Sequence, residues 1–121
     1  MMTGYVTNLH ALLPVTFRLP GQPDLILEFV ADTGFTDCLT LPAAAVAAMG
    51  LPFLYDLPVN LANDSSAFVR VHAATILWHG VEVDIRVFAT GKRPLLGTAL
   101  LDGYGFFSHF VENGLVTVDA V

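Results

Sequence analysis

Leu25-Ile26-Leu27-Glu28-Phe29-Val30-Ala31-Asp32-Thr33-Gly34 is the stretch on which the fold turns. From Leu25 to Ala31 it is a nearly continuous apolar run of strand-forming residues. A run of that kind leaves no face for water, so it predicts a strand covered on both sides. The residues directly after it then stand on a stiff, buried support. These are Asp32-Thr33-Gly34, three residues that by themselves form turns readily.

Towards the N-terminus, Leu12 to Leu19 is apolar and β-rich, and Pro20-Gly21-Gln22-Pro23 separates it from the quoted run, so the two predict a hairpin. Towards the C-terminus, Cys38-Leu39-Thr40-Leu41 leads into the alanine-rich Pro42 to Met49. Pro42 suits a first helical turn and Gly50 the position after the last, which predicts a short helix. Leu57 to Ala62 and Phe68 to Trp78 flank the turn-forming Asn63-Asp64-Ser65-Ser66 and predict a projecting hairpin. His79-Gly80 then offers a two-residue turn into Val81 to Ala89. There Val81, Val83, Ile85 and Val87 alternate with Glu82, Asp84 and Arg86, the pattern of a strand with one wet face. Pro94-Leu95-Leu96-Gly97 precedes Thr98 to Leu101, enough for one helical turn. Phe106 to Val111, Asn113-Gly114 and Leu115 to Val118 predict a last hairpin closed by the Asn-Gly pair.

The sum is an all-β chain, mainly strands with one or two short helices, and it contains a weak internal repeat. A hairpin, an apolar strand and a glycine, then a helix, occur once around Gly34 and again around Gly97. The 121 residues suffice for one compact domain, 1–121, and not for a second. With 55% hydrophobic residues, the chain carries more apolar surface than one small subunit hides easily, which predicts self-association.

A net charge of -6, with five scattered basic residues, argues against a nucleic-acid partner. The most apolar window, Leu39 to Leu57, is broken by Pro42, Gly50, Pro52 and Asp56 and falls short of a bilayer helix, so no membrane partner is expected. Cys38 is the single cysteine, which excludes an intramolecular disulfide, and no cationic start with an apolar run and cleavage site opens the chain. A cytoplasmic location is the expectation.

The apolar strand into Asp32-Thr33-Gly34-Phe35-Thr36, then Leu39-Thr40-Leu41-Pro42 and a helix, then Leu95-Leu96-Gly97 before Thr98-Ala99-Leu100-Leu101, resembles the clan AA aspartic peptidases of retropepsin type, especially their small bacterial single-domain members. The likeness runs from about Leu12 to the final hairpin. It implies a closed β-barrel of acid-protease fold with a flap, one lobe per chain, and an active site on the twofold axis of a homodimer. By this resemblance Asp32 is the catalytic carboxylate, Thr33 ties the two loops together across the axis, and Gly34 lets a peptide or protein substrate come close. Phe35, Thr36 and Asp37 would line the substrate. The flap would span Leu61 to Phe68, with Asn63, Asp64, Ser65 and Ser66 at its tip. Leu95, Leu96 and Gly97 would support the catalytic loop from behind, and no cofactor or metal is implied.

The chemistry explains the residue types. Two carboxylates a few ångströms apart cannot both be charged, so they share a proton. The ionised one takes a proton from water while the protonated one polarises the substrate carbonyl. One chain has one such triplet, which makes a second copy a chemical requirement. Viral retropepsins commonly carry an acidic residue two positions after the first glycine and an arginine directly after the later one, and the two pair. Here those positions are Thr36 and Thr98, so another brace must replace the ion pair. Asp37 reads either as a contact to substrate backbone or as a solvated turn residue.

Other candidates are weaker. No histidine stands near Cys38 in sequence to activate it, and lone cysteines usually pack. His10, His72, His79 and His109 lack metal-ligand spacing and read as surface residues. Trp78, beside a turn, reads as a half-buried strand aromatic, with a contact to a partner or ligand as the alternative. Two functions fit: a homodimeric aspartic endopeptidase, or a catalytically silent dimeric module that binds peptides or assembles larger proteins. The intact Asp32-Thr33-Gly34 favours the first, because a pure binder needs no carboxylate on the axis.

Overall fold

The computed structural model describes residues 1–60 and 62–121. Its elements are β1 (Met2–Thr7), β2 (His10–Arg18), β3 (Leu25–Ala31), β4 (Leu39–Leu41), α1 (Ala43–Met49), β5 (Phe53–Asn60), β6 (Ser66–Trp78), β7 (Val81–Ala89), β8 (Leu95–Leu96), α2 (Thr98–Leu101), β9 (Tyr104–Ser108) and β10 (Leu115–Ala120). The strands form one sheet in the order β5-β6-β7-β4-β8-β3-β2-β1-β10-β9. A further antiparallel pairing of β2 with β6, Thr16 opposite Leu77 and Phe17 opposite Ile76, links the six strands from β6 to β2 back onto one another. The architecture is mainly β with two short helices, in keeping with the sequence.

Strand β2 shows why the sheet curls around its own core. Ala11, Leu13, Val15 and Phe17 point inward and are buried, while the residues between them are half-buried. Phe17 stacks on Phe29 of β3 at 5.9 Å between ring centroids, and Leu39, Val87, Leu96, Val116 and Val118 complete a core with no measurable exposure. Burying each such side chain contributes about 1.5–3 kcal/mol, which sets the rigidity of whatever the inner strands carry.

Two turns obey the rules of tight connections. His79 and Gly80 both have positive φ, 52° and 77°, joining β6 to β7 with Trp78 opposite Val81. Gly50 closes α1 in the left-handed conformation, its N–H donating to Ala47 O, whereas Pro42 sits just outside the helix instead of in its first turn.

Four expectations need correction. Strand β3 is not covered on both sides within the chain: Ile26 is 62% exposed and Glu28 is exposed, on the face opposite buried Phe29. Strand β1 has no counterpart among the expected elements. It pairs with β10 and, through a turn at Asn8-Leu9 where both residues take positive φ, with β2, and leucine at the second position hides the usual signal. Strand β9 ends at Ser108 and not at Val111. The Asn113-Gly114 pair lies in a longer loop, where Val111 N–H turns back to His109 O and Gly114 N–H to Val111 O. Trp78 is buried, not half-buried, and stands edge-on to Tyr104 and His79.

Candidate active site

The site begins with the end of β3. Val30 and Ala31 pair in parallel with Leu95 and Leu96 of β8, and the Asp32 N–H donates to Leu96 O at 2.9 Å. The chain then turns sharply. Asp32 Oδ1 accepts the Gly34 N–H at 2.9 Å, and Asp32 O accepts the Phe35 N–H at 3.1 Å. This side-chain-to-backbone bond is the reason an aspartate suits the position, since it closes the turn and fixes the carboxylate in one rotamer. Asp32 is half-buried while Thr33 and Gly34 are exposed at the tip, so one carboxylate oxygen is tied and the group still borders solvent.

Behind the turn, Leu95 and Leu96 lie between β3, which they meet in parallel, and β4, which they meet antiparallel as Leu39 opposite Leu96 and Thr40 opposite Leu95. Thr40, only 4% exposed, accepts the Leu95 N–H on Oγ1 at 3.2 Å. Gly97 continues the support. Its N–H donates to Cys38 O at 2.8 Å, and a Cβ there would lie 2.1 Å from Asp37 O and 2.6 Å from Phe35 O. The glycine is present for close backbone approach, since its φ of -99° is open to any residue. Thr98 N–H donates to Phe35 O at 2.8 Å, and its hydroxyl reaches the same oxygen at 3.4 Å. Thus the segment 95–98 grips the loop 32–38 along its length.

Asp37 is not free. Its Oδ1 accepts the Cys38 N–H at 2.8 Å and its Oδ2 accepts from Arg86 Nη2 at 2.5 Å. Arg86 also donates through Nη1 to the Tyr55 hydroxyl at 2.5 Å and lies over Phe88, whose ring meets Phe35 edge-on at 5.7 Å. Sequence reading missed Arg86 and Tyr55, which stand 49 and 31 positions from their partners in these bonds. The one available signal was a cation on the wet face of the alternating strand β7.

The remaining expected residues belong to the hairpin of β5 and β6. Asn63, Asp64 and Ser65 form the exposed tip between β5 and β6, where Asn63 Oδ1 accepts from both the Ser65 N–H and hydroxyl and Asp64 has a φ of 62°. Ser66 opens β6 opposite Asn60, while Leu61 lies outside the described residues. Cys38 is half-buried, and burial together with the nearby Asp37 charge raises its thiol pKa, which makes it a poor nucleophile. Of the histidines, only His109 is exposed. His72 bonds Leu51 O through Nδ1 at 2.9 Å, and His79 stacks on Tyr104 at 4.3 Å, so these two are packed instead of lying free on the surface. Among the described residues no three His, Cys, Asp or Glu side chains group to hold a metal, and no helix is long and apolar enough to cross a membrane. A cavity of about 340 Å³ lies beside Met49, Leu51, Ala74 and Asp84 and shares no residue with the Asp32 loop.

No protein-family model matches this sequence, and no curated protein matches it. Among solved structures, the chain is similar to a retropepsin-like aspartic protease from Rickettsia conorii, with a TM-score of 0.66 and 16% identity over 99% of this chain and 89% of that one. At that identity the likeness establishes the fold alone, a retropepsin-like β structure.

Proposed function

We propose that residues 1–121 form one retropepsin-like domain and that two copies make an aspartic endopeptidase. The observation that supports this most is the placement of Asp32: it leaves an inner strand, its carboxylate is fixed by the Gly34 N–H, and its backbone is held by Leu96. A turn of no consequence would not need a second segment, 95–98, built around a glycine that a methyl group would disrupt.

In this reading Asp32 of each copy supplies one carboxylate of a pair that shares a proton. The charged member takes a proton from water as its oxygen attacks the peptide carbonyl, and the other member's proton passes to the carbonyl oxygen. The tetrahedral adduct then collapses, the C–N bond breaks, and the leaving nitrogen takes up a proton from the dyad. Thr33 ties the two loops across the axis, and exposed Gly34 leaves room for an extended substrate backbone. Phe35 and Thr36 border the substrate, the Asn63–Ser66 tip covers it as a flap, and Leu95, Leu96 and Gly97 hold the loop. Asp37, with both oxygens engaged inside the chain, shifts from a substrate contact to a positioning role.

The test is cleavage of a peptide library by wild type and Asp32→Asn at mildly acidic and neutral pH, over a dilution series. The proposal expects turnover by the wild type alone, falling faster than linearly on dilution. Equal turnover in both proteins would remove Asp32 from the mechanism. Absence of cleavage by the wild type at every concentration would favour the silent peptide-binding module.

A further inference from the structure

Arg86 bridges two parts of the molecule that are far apart in sequence. Tyr55 belongs to β5, one arm of the hairpin whose tip holds Asn63 to Ser65, and Asp37 belongs to the loop that starts at Asp32. The guanidinium donates to both at 2.5 Å, through different nitrogens. Asp37 is itself clamped, its carbonyl accepting the Ala99 N–H at 3.3 Å and lying against Gly97. Arg86 therefore pulls on a rigid anchor. Across the hairpin, Asp56 pairs with Arg70 in register, and Arg70 opposes Ala89, so β5 reaches β7 only through β6 in the backbone ladders. The Tyr55–Arg86–Asp37 chain gives β5 a direct side-chain tie to β7 and the loop.

We infer that Arg86 is a positioning residue that sets the angle of the β5–β6 hairpin over the Asp32 loop and thereby sets substrate affinity. The inference rests on the peptidase reading for its kinetic consequence, while the mechanical link rests on the geometry alone. An arginine is required because only its planar fork offers two donors in fixed directions, one for the phenol and one for the carboxylate. Arg86 is about half exposed, so the tie is modest in strength and suited to a hairpin that must open. Phe88 beneath the guanidinium, packed on Phe35, keeps the arginine from swinging away.

The experiment compares wild type with Tyr55→Phe, Asp37→Asn, their double variant, Arg86→Lys and Arg86→Met. Tyr55→Phe removes one oxygen and keeps the ring. The expected result is a KM raised about three- to tenfold by each single variant, with kcat changed less than about twofold. The double variant should match the stronger single one, because both act through Arg86, and Arg86→Lys should rescue only in part. A merely structural loss would lower the active fraction and hence kcat, leaving KM alone. Independent effects of Tyr55→Phe and Asp37→Asn that multiply, or a Tyr55→Phe protein with wild-type KM, would overturn the inference. If the wild type cleaves nothing, amide exchange decides: Tyr55→Phe should speed exchange in both 53–60 and 35–41, and a change confined to 53–60 would sink the link while leaving the peptidase question to the library assay.

Discussion

A methyl group added to Gly97 would sit 2.1 Å from the carbonyl oxygen of Asp37. Neither can yield, because the methyl is rooted in, and the oxygen belongs to, backbone fixed by neighbouring hydrogen bonds, Gly97 N–H to Cys38 O and Ala99 N–H to Asp37 O. Gly97→Ala should therefore cost about 3 kcal/mol or more of unfolding free energy, as overpacking against backbone does. Gly21, with a φ of 71° and nothing within 4 Å of where a Cβ would stand, is the contrast. Gly21→Ala should cost only about 1 kcal/mol of backbone strain. Urea denaturation of the two variants checks the ranking, and equal costs would show that Gly97 has room.

Thr40 tests the support from the opposite side. Its hydroxyl is the acceptor for the Leu95 N–H in the interior, so Thr40→Val keeps the volume and orphans that donor. A loss of about 1–3 kcal/mol is expected, with Thr40→Ser keeping the bond and recovering part of it. Denaturant midpoints for the three proteins measure this directly, and a stable Thr40→Val would show that the Leu95 N–H finds another partner.

Glu112 carries a pH-dependent contribution. Bonds from the Thr7 hydroxyl at 2.7 Å and the Asn8 N–H at 3.0 Å hold the charged carboxylate at the β1–β2 turn and lower its pKa. The folded pKa lies below the unfolded one, so the stabilisation is present above the ordinary glutamate value of about 4.3 and is lost as pH falls through the depressed folded value. Glu112→Gln should thus differ from wild type in stability at neutral pH, with the difference shrinking as pH drops below that range. Thermal melts across pH 3 to 7, about one unit apart, make the comparison, and a difference independent of pH would contradict it.

How much was legible in the sequence depends on whether the signal was local. The β6–β7 hairpin was readable from His79-Gly80 and the alternation of Val83 and Ile85 against Asp84 and Arg86. Helix α1 was readable from Pro42 and Gly50. Strand β1 was not, because Leu9 takes a left-handed conformation that its side chain disfavours, in a turn held by pairing with β2 and β10 and by the bond from the Asn8 N–H to Glu112. The coverage of β3 was misjudged because apolar composition reports a preference for burial, and Ile26 lies on a face of the chain that is largely open. The positions of Asp32 at the end of β3 and of Gly97 directly after β8 were legible because strand and glycine spacing mark them. Arg86 left only the trace of a cation on the wet face of β7, and its bonds to Tyr55 and Asp37, made between segments distant in sequence, left none.

The most direct measurement mixes subunits. Wild type and Asp32→Asn are combined in equal amounts, allowed to exchange, and assayed for peptide cleavage at fixed total protein. If each site needs Asp32 from both copies, only wild-type pairs cut and activity falls to about one quarter of the unmixed wild type. Activity at about one half would mean that each chain carries a whole site, which contradicts the shared dyad.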